Sequence, residues 1–210
     1  MSIKKAKGVT RTEILDKAWD LIIEQGAEVS MQEIANAADV SRQSVYLHFK
    51  SRGGLLLALV QRVDDRFAIK EDFYDAMLLA SPAKRLKKCL SIWFDFVIKI
   101  YPVASDLTRL RKTDPDAAAA WDGRMKLLRS WERELIKSLA RDNALATGWS
   151  VSDATDFLWA VSSVQIWELL VYDRSWGETK AAEVLQSTIT QCLVRDVSTV
   201  PAIIESPKKS

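Results

Sequence analysis

One histidine, two cysteines, seven glycines and five prolines among 210 residues exclude several kinds of protein at once. Cys89 and Cys192 lie far apart in the chain. With a single histidine to join them they offer no His/Cys zinc spacing and no disulfide framework, so no metal is expected. Unpaired thiols fit a reducing compartment, and a cytoplasmic location is expected. So little glycine and proline argues against an all-β chain with its many turns. No eighteen-residue stretch is free of charge, so no membrane span is expected. The start, "MSIKKAKGVTRTEILDKAWD", lacks the apolar run of a signal peptide. G-x-G-x-x-G, Walker, H-E-x-x-H and G-x-S-x-G signatures are missing, and the lone His48 has no catalytic partner suggested nearby. Neither an enzyme nor a cofactor is expected.

What is present is apolar and helix-forming. Apolar residues make up 48%, enough for a buried interior, and Leu, Ala, Ile and long charged side chains dominate. The net charge of +2 does not by itself announce nucleic acid. Its placement says more, because Lys4, Lys5, Lys7 and Arg11 open the chain with no acid among the first 12 residues. Such an arm can follow a phosphate backbone, or can simply be a solvated terminus.

Helix signals recur along the chain. Thr10 and Glu13 form a capping box ahead of Ile14, Leu15, Ala18 and Ile22, a helix expected to end near Gly26. Ser30 and Glu33 form a second box ahead of Met31, Ile34 and Ala35. After the break "NAADV", Ser41 caps a helix with Val45 and Phe49 inward, and Ser51 opens a fourth from Arg52 to about Ile69. Ser81-Pro82 starts a longer helix whose inward stripe is Leu86, Leu90, Trp93, Val97 and Ile100, and Pro102 is expected to end it. Asp114-Pro115 leads through Trp121, Met125, Leu128, Trp131, Leu135 and Leu139. One helix is expected from Ser150 to Tyr172 and a last from Glu178 to Val194, with a disordered tail at 198–210. No clean period-two alternation appears. The expected fold is all-α, with about nine helices.

Two short helices joined by a tight turn make a helix-turn-helix. Its second helix needs a polar outer face for the major groove and an apolar inner face to hold it in place. Residues 41–49 divide in that way. Arg42 can contact guanine in bidentate fashion, Gln43 can pair with adenine, and Leu47 can touch a thymine methyl. Ser44 shares the outer surface, while Tyr46, His48 and Lys50 suit phosphate oxygens. Free N–H groups at Ser30 and Ser41 can receive phosphates.

Residues 29 to 57, "VSMQEIANAADVSRQSVYLHFKSRGGLLL", resemble the DNA-binding signature of the tetracycline-repressor (TetR) family of bacterial transcription regulators. The likeness rests on the Ser30 start, "EIA", "VS" at 40–41 and above all "VYLHFKSR" at 45–52. It implies a homodimer with a three-helix head, and a larger C-terminal domain whose small-molecule ligand releases the protein from a palindromic operator. The head would span 1–52 with its basic arm, and the ligand-binding and dimerisation domain 53–197. Two departures stand out. Asp39 takes a turn position where the family usually has glycine, with small strain expected. Gly53-Gly54 replaces charged helix formers, which is expected to fray the fourth helix and couple the head loosely to the body. On that reading Gly54→Ala should stabilise the protein and tighten operator binding.

Seven of the eight tryptophans follow residue 90. Tryptophan at helical spacing is more often core than ligand box, yet the concentration favours a flat or lipophilic effector. Trp93, Trp121, Met125, Leu128, Trp159 and Trp167 are the candidate lining. The helix "DFLWAVSSVQIWELLVY" is apolar nearly all round, so Phe157, Val161 and Val164, with Leu185, Thr188, Ile189 and Cys192 on the last helix, are the candidate dimer seam. The rival readings are a DNA-binding regulator without a ligand, constitutive or controlled by another protein, and an interaction module that no longer touches DNA.

Overall fold

The computed structural model describes residues 9–25, 29–66 and 68–195. Lys4, Lys5 and Lys7, the tail at 198–210 and the break at Gly26 lie outside the described residues. The chain folds as helices: α1 (Arg11–Gln25), α2 (Met31–Ala37), α3 (Arg42–Phe49), α4 (Arg52–Arg66), α5 (Ile69–Met77), α6 (Pro82–Leu110), α7 (Pro115–Arg141), α8 (Val151–Val161), α9 (Val164–Glu168) and α10 (Glu178–Leu193). Among the described residues there is no strand, only an isolated bridge between Leu145 and Val194.

Helices α1 to α3 form a small head around Ile14, Ala18, Ile34, Val45 and Phe49. Its core runs without interruption into that of the body, because α4 packs against α1 and α3 on one side and against α6 and α7 on the other. Arg62 of α4 fixes that position with a bidentate pair to Asp16 of α1, at 2.7 and 2.9 Å. The long helices α6 and α7 carry the inward stripes expected of them, with Leu86, Leu90, Trp93 and Val97 buried on one and Trp121, Leu128, Leu135 and Leu139 on the other.

Three helix boundaries differ from expectation, and each difference has a tertiary cause. Pro102 does not end α6, which runs on to Leu110. An internal proline removes one backbone bond and costs about 3 kcal/mol in an isolated helix. Beyond it, Val103, Ala104 and Leu107 are buried, and their packing outweighs that cost. The expected helix from Arg52 to Ile69 gives way to two, with Ala68 at φ +47 between them, which lets Ile69 and Ala76 of α5 turn in against the core. The expected helix from Ser150 to Tyr172 breaks at Ser162. The indole N–H of Trp93 donates to the Ser162 carbonyl at 2.7 Å, and Ser163 caps a new helix by accepting from the Ile166 N–H. That helix, α9, runs on as a π-helical turn over Leu169–Asp173, whose Tyr172 stacks on Tyr101 of α6.

Candidate nucleic-acid interface and its tie to the body

The turn between α2 and α3 is built from local hydrogen bonds. Ser30 closes the capping box of α2: its hydroxyl accepts from the Glu33 N–H at 3.2 Å, and its own N–H donates to the Glu33 carboxylate at 2.7 Å. The Ser30 hydroxyl also donates to that carboxylate at 2.6 Å, and it and the Ser30 N–H hold the Glu33 carboxyl below its usual pKa. The Ser30 N–H that was expected to be free for a phosphate is thereby occupied, because the capping carboxylate already receives it. Asp39 stands at φ +53, the left-handed geometry expected where the family has glycine, and the Val40 N–H closes the turn on the Ala35 carbonyl at 3.0 Å. Ser41 then caps α3 by accepting from the Ser44 N–H at 3.0 Å.

Val45 and Phe49 are buried and anchor α3 to the head. Helical spacing puts Gln43 and Leu47 opposite them, and both are exposed, Leu47 at 78%. An apolar side chain so exposed is a poor choice for water and a good one for a base edge. Ser44 and His48 occupy one flank of this crest, Arg42 and Tyr46 the other. The Arg42 guanidinium lies over the Tyr46 ring, 5.4 Å from its centroid, and donates to its hydroxyl at 3.3 Å. Arg42 and Tyr46 share a surface cleft with Ser30, Gln32, Arg52 and Arg109, so this flank is basic. Lys50 ends the helix at φ +63 and is exposed.

From the end of α3 the chain enters a tight joint with the body, and here the expected loose coupling is overturned. Asp114 caps α7, accepting from the N–H groups of Asp116 and Ala117, and it also accepts from the Gly53 N–H at 3.2 Å. The Ser51 hydroxyl donates to Asp116 at 2.6 Å and accepts from the Gly54 N–H at 3.0 Å. A Cβ at Gly53 would stand less than 3.0 Å from the Ala117 nitrogen, and one at Gly54 less than 3.0 Å from the Phe49 carbonyl oxygen. The two glycines allow α4 to approach α7 and the end of α3 this closely. Alanine at Gly54 therefore strains the joint instead of stabilising the helix.

Beside the glycines, Arg52 reaches into the body. Its guanidinium donates to Asp106 of α6, with Nε at 2.9 Å, and to the Val29 carbonyl ahead of α2. Asp106 is fully buried and also accepts from Arg109 at 2.7 Å. One buried carboxylate thus links the start of α4, the entrance to α2 and the end of α6.

The body contains two small apolar cavities. The larger, about 40 Å³, brings Trp19 of α1 and Val60 and Val63 of α4 against Trp93, Trp121 and Met125, so head and body helices share its wall. The second, about 20 Å³, lies among Phe73, Trp93, Leu128, Trp131, Glu132 and Ser162. Of the expected lining, Trp93, Trp121, Met125 and Leu128 face these spaces. Trp167 does not: it is fully buried and stacked on Phe94. Trp159 lines neither cavity and is partly exposed on α8. Glu132 was not foreseen. The inward stripe of α7 reads Trp121, Met125, Leu128, then Leu135 and Leu139, and position 132 completes it, so a carboxylate at an inward position was the available signal.

The expected dimer seam also divides. Val164, Leu185 and Ile189 are buried in the chain's own core; Phe157 and Val161 are half-buried; Thr188 and Cys192 are exposed. The large apolar side chains left outside on this part of the molecule are Trp159, Leu169, Tyr172 and Val184. Among the described residues no helix is long and apolar enough to cross a membrane.

Residues 14–59 match the model for bacterial regulatory proteins of the tetR family. The chain is 26% identical over 100 residues to the HTH-type transcriptional regulator EthR of Mycolicibacterium smegmatis, covering 48% of this chain and 46% of that protein. It is 34% identical over 82 residues to the HTH-type transcriptional regulator AcrR of Shigella flexneri, covering 39% of this chain and 38% of that one. These stretches span less than half the length of either relative. In fold the likeness extends over nearly the whole chain: a Saccharomonospora viridis protein described as a transcriptional regulator, solved with choline, superposes with a TM-score of 0.73 at 17% identity over 89% of this chain and 98% of its own.

Proposed function

Because this chain belongs to the tetR family of bacterial regulatory proteins, we propose that it is a dimeric repressor, released from a palindromic operator when a small apolar or aromatic effector enters its C-terminal body. The observation that carries this reading is the exposed crest of Gln43 and Leu47 on a helix whose end is tied rigidly to the cavity-bearing body. Gln43 and Leu47 read base edges, and Arg42 joins them if it leaves Tyr46 for guanine. Tyr46, His48, Lys50, Ser41, Ser44 and the basic arm hold phosphates. Two copies present two such helices about 34 Å apart, one turn of duplex. The exposed Trp159, Leu169, Tyr172 and Val184 are the surface that pairs them. Residues 1–52 act as the reader and 53–197 as the sensor, with a cytoplasmic site of action. The wall of the larger cavity, formed by Trp19, Val60, Val63 and Trp93, gives the effector its route to the head: Trp93 lines both cavities, so an occupant of either one presses on α1 and α4 through it.

The rival, a regulator without a small ligand, draws on the size of the cavities, neither of which holds a drug-sized molecule as it stands. Fluorescence-anisotropy selection from random duplexes tests the reading. A palindromic site should emerge, with affinity falling steeply in salt, and specificity should collapse in the Arg42→Ala, Gln43→Ala double variant. Weak binding equal for every duplex, unchanged in that variant, would remove the head as a reader.

A further inference from the structure

The second cavity holds a group that packing does not explain. Glu132 is 7% exposed, and its two oxygens are treated differently. Oε1 accepts from the Ser162 hydroxyl at 2.9 Å, whereas Oε2 is buried with no hydrogen-bond partner. Serving the helix break at Ser162 needs one oxygen, which glutamine would supply at lower cost. A second carboxylate oxygen buried without a partner is destabilising, so packing alone does not account for a glutamate here.

The surroundings suit a positive charge. Phe73, Trp93 and Trp131 present aromatic rings to the same space, with Phe73 and Trp131 5.4 Å apart. Aromatic faces and a carboxylate together bind organic ammonium groups, because ring quadrupole and counter-ion both attract a cation that water holds loosely. Among the described residues no Lys or Arg lines the cavity. The adjoining Arg129 on α7 is paired with Asp156 of α8, and Arg85 of α6 with Asp142. The Cys89 thiol of α6, also in the wall, is pushed up to about 12 by burial and stays neutral. Outside lies a groove of about 330 Å³ between α5 and α7, flanked by Lys70, Tyr74, Leu127 and Glu134. Phe73, Trp131 and Leu135 line both spaces and form the partition between them.

We propose that Glu132 is the counter-ion of a cation site: the effector is a lipophilic organic cation whose ammonium group passes the Phe73–Trp131 partition to lie against Glu132, while its apolar body occupies the groove outside. This names the chemical class of the effector in the proposed function and rests on that reading only for the step of operator release.

Burial raises the Glu132 carboxyl to about 8, with the Ser162 bond and Arg129 opposing that rise. In the empty site at pH 7 it is therefore mostly protonated, and a bound cation must drive the proton off. Affinity for a permanent cation then rises about tenfold per pH unit below pH 8 and levels off above it.

The test uses the full chain without DNA. Calorimetry with benzyltrimethylammonium, in two buffers of different ionisation enthalpy, is compared with tryptophan-fluorescence titration of its neutral isostere neopentylbenzene. Expected are binding of the cation with release of close to one proton at pH 7, and a loss of tenfold or more in Glu132→Gln with neopentylbenzene unaffected. Glu132→Gln keeps the Ser162 contact and adds no charge, and its melting temperature at pH 8 reports that it is folded. No cation binding at about 10 mM, binding without proton release, or equal binding by the variant each overturns the proposal. Cation binding that leaves an operator complex intact upholds the site and refutes the release mechanism instead.

Discussion

Asp106→Asn removes one charge from the place where head and body meet, and the structure sets the size of the effect. Asp106 is 0% exposed, and the Arg52 side chain that it holds is 18% exposed. Its other partner, Arg109, is 58% exposed and can turn to water, so that pair contributes little. The loss falls on Arg52, left partly buried and deprived of its carboxylate. Breaking a fully buried pair from one side costs about 3–5 kcal/mol, and the remaining exposure of Arg52 places this case near 3. For a chain of this size that lowers the melting temperature by roughly 6–12 °C. Arg52→Met with Asp106→Leu removes both charges and should recover most of the loss, since apolar replacement of a buried pair is often neutral. Circular-dichroism melts of Arg52→Met, Asp106→Leu and the double variant form a thermodynamic cycle. The latch is refuted if Asp106→Asn costs less than about 1 kcal/mol, or if the double variant falls by the sum of the singles.

Two further outcomes follow from the same geometry. Gly54→Ala should destabilise by about 2 kcal/mol, because its Cβ meets the Phe49 carbonyl oxygen and backbone cannot step aside as a flexible side chain can; a urea titration showing a more stable variant would restore the loose joint that the local sequence suggests. Glu132→Gln should change how stability depends on pH. The folded Glu132 keeps its proton up to about 8 whereas the unfolded one releases it near 4.5, so its contribution to stability declines as pH rises through that window and is constant above it. The advantage of the variant over wild type should therefore grow by about 3–5 kcal/mol between pH 4.5 and 8.5, and urea midpoints that run parallel would exclude the burial as described.

Capping boxes, proline starts and 3.6-residue spacing are local signals, and they were enough for the all-α fold, for α1, α2, α3, α7 and α10, and for which face of α3 stays exposed. Even the left-handed Asp39 was legible, because it stands where the resembled family usually has glycine and aspartate tolerates that conformation. The misreadings share one cause: each residue's local preference was overruled by a partner far away in the chain. Pro102 ends helices in isolation, yet buried side chains on both sides carry α6 through it. Ser162 has no local reason to break a helix until the Trp93 indole takes its carbonyl. Gly53 and Gly54 weaken a helix on their own and become the contact that lets α4 meet α7. Val164, Leu185 and Ile189 have the spacing of a seam, but the chain's own core claims them. Glu132 was visible as a carboxylate on an apolar stripe, but whether such a group faces water, a partner or an empty cavity depends on which helices close over it. Sequence alone determined that the chain is helical and which face of α3 is exposed; only the tertiary structure decided how closely α3 and α4 are joined to the body and where the buried charge lies, because distances between residues remote in the chain are set by packing and not by local preference.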